Sequence, residues 1–177
     1  MADIISAPRG SSFVRIIWYW APVLMTLGLM YYFSTDSLSS SNTQSIFDKI
    51  FLRFKPNASK HTLELFNHFI RKSAHVIEYA ALGALLFRAF RGDNQFRWRL
   101  RWAVYALIFT ASWALLDEFH QSLTRSREAS IWDVLLDSSG ALLGLALIGL
   151  YVRRGQATRS SWTRKRWSRS RDDAPLE

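Results

Sequence analysis

Apolar residues gather in four stretches separated by polar and charged segments. They read IIWYWAPVLMTLGLMYYF (16–33), FIRKSAHVIEYAALGALLFRAF (69–90), WAVYALIFTASWALLDEFHQSL (102–123) and IWDVLLDSSGALLGLALIGLYV (131–152). Each has about the length at which a helix crosses a bilayer, roughly 20 residues. The pattern predicts an all-α integral membrane protein with four transmembrane helices. It divides the chain into a short N-terminus (1–15), a four-helix domain (16–152) and a basic tail (153–177) expected to be disordered. A secretory signal is the other reading of the first stretch. Its apolar run exceeds the roughly 7–15 residues of a signal core, so an uncleaved helix is expected.

Between the first two stretches lies STDSLSSSNTQS, followed by SIFDKIFLRF (45–54), whose apolar spacing suits a short helix lying on the membrane surface. Trp18 and Trp20 near one end of the first stretch, and Tyr31 and Tyr32 at the other, suit interfacial belts.

Charge orients the bundle. One side would hold Arg9, Arg15, Arg88, Arg91, Arg97, Arg99, Arg101 and eight basic residues of the tail, fifteen in all. The other would hold eight, among them Arg71, Lys72, Arg125 and Arg127. Lys and Arg are retained in the cytoplasm, so both termini are expected there. The same retention accounts for the formal charge of +9 without a nucleic-acid partner. The tail is read as a solvated topology anchor with weak adhesion to anionic lipid.

The apolar stretches also carry ionisable side chains, which are costly in a bilayer and usually line a polar site. These are His75, Glu78, Asp117, Glu118, His120, Asp133 and Asp137. His75 and Asp137 stand sixteen residues before Arg91 and Arg153, and Asp117 sixteen after Arg101. At about 1.5 Å per residue, all three lie roughly 24 Å from that edge, at one level. Arg71, His75, Glu78 and Leu82 share a helical stripe, as do Asp133, Asp137, Gly140 and Gly144. Trp113 and Asp117 share one with either His120 or Gln121. Gly140 and Gly144 permit close helix approach, so the carboxylates should meet between helices.

Several chemistries fit such a cluster. Paired carboxylates beside a histidine can do acid–base work. Metal is not expected: HExxH is absent and DEFHQ does not reproduce its spacing. No cofactor is expected either. The chain has no cysteine, which removes thiolate chemistry. Ser73, Ser138 and Ser139 lack a nucleophile elbow. A polar network that only holds the helices together is the structural alternative. Arg127, in the turn before 131, reads equally as an anion clamp and as a partner for Asp133, Glu118 or headgroups.

RKSAHVIEYAALGALL (71–86), LLDEFHQSL (115–123) and REASIWDVLLDSSGALLG (127–144) resemble the VanZ-like family of small membrane proteins in order and spacing. The resemblance implies a site of Lys72, His75, Glu78, Tyr79, Asp117, Glu118, His120, Gln121, Arg127, Asp133 and Asp137. Arg125-Ser126 departs from the Pro-Gly frequent in relatives, which leaves Arg125 outside the pattern. The founding member is associated with low-level resistance to the glycopeptide teicoplanin, and this implies neither enzyme nor transporter. The expected role is a binding or accessory factor of the cell envelope in the bacterial cytoplasmic membrane. Its expected partners are membrane lipid and a lipid-linked or peptidoglycan-related ligand. The alternatives are an intramembrane hydrolase or transferase using Glu78, Asp117 or Glu118 as base, and a proton-coupled carrier.

Overall fold

The computed structural model describes residues 11–34, 41–94, 97–122 and 130–172, and these form five α-helices. They are α1 (Ser12–Ser34), α2 (Ser41–Phe54), α3 (Lys60–Arg91), α4 (Leu100–Ser122) and α5 (Ile131–Asp172). The all-α expectation holds, and α2 covers the segment read as a surface helix. The Ser-rich residues 35–40 lie outside the described residues.

Three expectations change. Among the described residues two helices, not four, are long and apolar enough by themselves to cross a membrane: Ser12–Tyr32 and Ile131–Gln156. The charged and polar residues that interrupt the apolar runs of α3 and α4 are the physical reason. Second, α3 begins at Lys60, nine residues before its apolar stretch. Ser59 caps it by accepting from the Thr62 amide at 3.2 Å. Third, the tail expected to be disordered continues α5 as a helix to Asp172.

The first turns of α3 hold α2. Phe51 and Phe66 pack at 4.4 Å, and Asn67 Nδ2 donates to Asp48 Oδ1 at 2.6 Å. At its other end α3 stops at Gly92, whose φ of 54° is readily reached by glycine.

The main seam joins α3 to α5, side by side and parallel. It is built from small residues. A Cβ on Gly140 would lie 2.6 Å from the Val76 carbonyl oxygen, and one on Gly144 would collide with the Ala80 backbone. Gly83 meets Ala141 in the same way at 3.0 Å. Small side chains let helix backbones approach where lipid supplies no hydrophobic drive. The stripe read from Gly140 and Gly144 is therefore the packing stripe.

α1 and α4 run antiparallel to this pair. Tyr19, Val23, Leu27 and Met30 are buried at helical spacing on one face of α1. Trp102, Ala103, Ala106, Thr110 and Ala114 do the same on α4. Arg15 Nη1 reaches Asp93 at 3.0 Å and the Tyr19 hydroxyl donates to Asp93 at 2.7 Å, which ties the start of α1 to the end of α3. Trp98 stacks on Phe87 and lies over Gly149 of α5. The starts of α1 and α4, the end of α3 and the Gly149–Arg153 turns of α5 thus share one end, the Arg91 end. Tyr31, His120 and Ser130 mark the opposite end.

Large apolar side chains face outward along α1, α4 and α5, including Leu24, Met25, Ile108, Leu116, Trp132 and Leu147. An apolar exterior of this extent is suited to contact with lipid or with other proteins.

Candidate functional site

The polar residues meet at the Ser130 end, across the α3–α5 seam, with α4 closing the third side. Lys72 Nζ forms an ion pair with Asp133 Oδ2, and both side chains are about three-quarters buried. One turn along, His75 Nδ1 faces Asp137 Oδ1 at 3.6 Å. Asp137 is fully enclosed, whereas His75 is partly open. The two contacts follow from the helical repeat. Lys72 and His75 are three apart on α3, Asp133 and Asp137 four apart on α5, and parallel helices bring such pairs into register. Gly140 and Gly144, further along the same stripe of α5, draw the backbones together.

Tyr79 is fully buried one turn beyond His75, and the two rings lie nearly parallel with centroids 6.4 Å apart. Its hydroxyl is buried without a hydrogen-bond partner among the described residues, and Asp137 Oδ1 has only the long approach of His75 Nδ1 at 3.6 Å. Buried polar groups are ordinarily satisfied, so this pair marks a place suited to a further polar partner. Glu78 is half-buried and within electrostatic reach of His75, Asp117 and Asp137. Asp117 and Glu118 enter from α4 and also act on Tyr79.

Glu118 is buried and accepts from the Ser130 amide at 2.9 Å. Its carboxylate thus sits where α5 begins, at the positive end of the helix dipole. The sequence offered a local signal for this helix start, since Ser130 and Asp133 stand at capping-box spacing. It offered none for Glu118, which is twelve residues away and on another helix.

His120 does not join the cluster. Its ring packs against Tyr31 of α1 at 5.5 Å. The side chain of Gln121 and the whole of Arg125 and Arg127 lie outside the described residues. The cluster therefore comprises Lys72, His75, Glu78, Tyr79, Asp117, Glu118, Asp133 and Asp137. Among the described residues no group of three or more His, Asp or Glu side chains is placed to hold a metal ion. What the arrangement offers is a set of carboxylates, an imidazole and an ammonium in a partly enclosed site. It can accept hydrogen bonds from a ligand and exchange protons with it.

Toward the Arg91 end the seam becomes apolar. Leu82, Leu86, Phe87, Leu145 and Val152 are buried there. The polar site thus ends about one turn below Glu78.

Comparison with curated proteins and with solved structures finds no match. A family model described as VanZ/LLP1 matches residues 17–152. The matched stretch opens within α1, closes within α5 and takes in the whole polar cluster, so the chain belongs to the VanZ/LLP1 family.

Proposed function

We propose that this chain is a four-span membrane protein with both termini in the cytoplasm, and that its polar cluster is a ligand site opening toward the outer face. The Arg91 end would lie at the cytoplasmic surface. The shared end of α1, α3, α4 and α5, the apolar exterior and the two apolar helices support a spanning bundle. The concentration of arginines at that end supports the orientation. α3 and α4 would cross with their charged faces turned inward, as intramembrane ionisable residues usually are.

The site would serve a binding or accessory factor of the cell envelope, of the kind that confers tolerance to glycopeptides. Its ligand would be lipid-linked or peptidoglycan-related. One observation carries this reading. Five carboxylates from three helices gather in one place: Asp133 pairs with Lys72, Asp137 faces His75, and Glu78, Asp117, Glu118 and Asp137 all lie within electrostatic reach of Tyr79. Two cross-helix pairs suffice to pin a seam, and the further acids are more than adhesion requires. Such a site favours the hydroxyl and ammonium donors of sugar- or amine-bearing molecules over bare anions.

The apolar seam beyond Glu78 favours a binder over a proton-coupled carrier, which needs a polar path to the far side. An intramembrane hydrolase or transferase is the second reading, carried by the half-buried Glu78 beside the unpartnered Tyr79 hydroxyl. Lipid and peptidoglycan-precursor profiles of a deletion strain, measured with its teicoplanin sensitivity, separate the two. Altered sensitivity with unchanged pools is expected of the binder. An accumulated precursor would favour the enzyme. Unchanged pools and unchanged sensitivity would contradict both.

A further inference from the structure

A second surface lies at the opposite end of the bundle from the polar site. A groove of about 480 Å³ runs between α4 and α5 near the Arg91 end. Its walls are apolar and include Val104, Leu107, Leu142 and Ala146. Trp98 and Arg153 line the same groove. Gly149 forms part of the floor because any larger residue there would strike the Trp98 ring, at 2.9 Å from a Cβ. Leu100, another lining residue, stands between Arg99 and Arg101, whose guanidinium groups lie 5.4 and 5.7 Å from the Trp102 ring centroid. Arg97, Arg99, Arg101 and Arg153 are all exposed.

We infer that this groove is a binding site for an anionic phospholipid, one acyl chain lying between α4 and α5 and the phosphate meeting Arg153 and the neighbouring arginines. Two properties point to this occupant. The groove is lined by apolar residues over about two turns of α5, from Leu142 to Leu150, and its volume of about 480 Å³ is of the order of a single chain. Arg153 lines it at the Arg91 end, and the exposed Arg97, Arg99 and Arg101 flank the lining residues Trp98 and Leu100 in sequence, where a headgroup phosphate would sit; a guanidinium grips phosphate through paired hydrogen bonds. A docked helix from a second copy would fill the apolar part but would bring its own basic turns against these arginines. The inference is independent of the polar site and rests on the reading of α4 and α5 as membrane spans.

The full-length chain in detergent, titrated with phosphatidylglycerol or with phosphatidylcholine of the same acyl chains and read by native mass spectrometry, tests this. The first phosphatidylglycerol should bind more tightly than phosphatidylcholine. Arg153→Gln should weaken it about fivefold, the loss expected for one basic side chain at an anionic surface. Arg169→Gln removes the same charge from the tail and should leave that first lipid unchanged. Ala146→Phe fills the groove and should weaken both lipids. Equal binding of the two lipids by the wild type, or equal loss in Arg153→Gln and Arg169→Gln, overturns the inference. So does conversion of a dimer to a monomer by Ala146→Phe with lipid binding intact, which would assign the groove to a second copy. Alkaline washing of membranes separates the underlying reading. A wild-type chain that washes off refutes the membrane spans and the site with them. A chain that stays while showing no lipid preference refutes the site alone.

Discussion

Lys72 of α3 and Asp133 of α5 form an ion pair across the tightest helix seam of the molecule, one turn from the His75–Asp137 contact. The pair is partly enclosed and lies where the two helices enter the polar site. A double-mutant cycle of Lys72→Met, Asp133→Asn and the double variant should therefore give a coupling of about 1–2 kcal/mol in detergent melts. Additive effects would show that the two side chains do not stabilise each other.

Close backbone approach gives a second expectation. Gly144 faces the Ala80 backbone, which cannot rotate away, whereas Gly28 of α1 has nothing within 4 Å of its added Cβ. Gly144→Ala should cost about 1–3 kcal/mol through overpacking and lower membrane abundance. Gly28→Ala should be neutral or gain up to about 1 kcal/mol from helix propensity. Melting temperature and membrane yield of the two variants check this, and similar behaviour of both would argue against the α3–α5 seam described here.

Orientation is checked with reporters. A periplasm-active reporter fused after Ser41, or within the Ser122–Ser130 segment, should be active. The same reporter after Arg99 or at the C-terminus should be silent. The reverse pattern would place the polar site at the cytoplasmic face.

Much of this arrangement was legible in the residues, for a definite reason. Helical repeat alone puts Asp133, Asp137, Gly140 and Gly144 on one stripe, so the packing face and the polar face of α5 could be recognised as one. Distance from Arg91 and Arg153 placed His75 and Asp137 at one level, and the structure brings them to 3.6 Å. Partners across helices were not legible, because register depends on packing that no single segment encodes. Lys72 entered through family resemblance rather than through its stripe, and its pairing with Asp133 emerges only in three dimensions. His120 and Gln121 flank the Asp117 stripe almost equally at three and four residues. The structure resolves His120 by turning it to Tyr31. The early start of α3 was hidden because KHTLELFNH is polar, although Ser59 and the absence of Pro and Gly permit a helix there. Asp93 carries no local signal for a similar reason. It stands in a short turn, and its partners Arg15 and Tyr19 are more than seventy residues away.

The clustered carboxylates are proposed to act on a ligand rather than merely hold the helices together. Glu78→Gln tests this, because it keeps the size of the side chain and one acceptor oxygen while removing the charge. Glu78 is also not a direct partner in the Lys72–Asp133 or His75–Asp137 contacts. The measurement is complementation of a deletion strain across graded teicoplanin concentrations, normalised to membrane abundance of the variant. Wild-type abundance with tolerance reduced to the level of the deletion is expected. Full tolerance at normal abundance, or loss of the protein from the membrane, would contradict it.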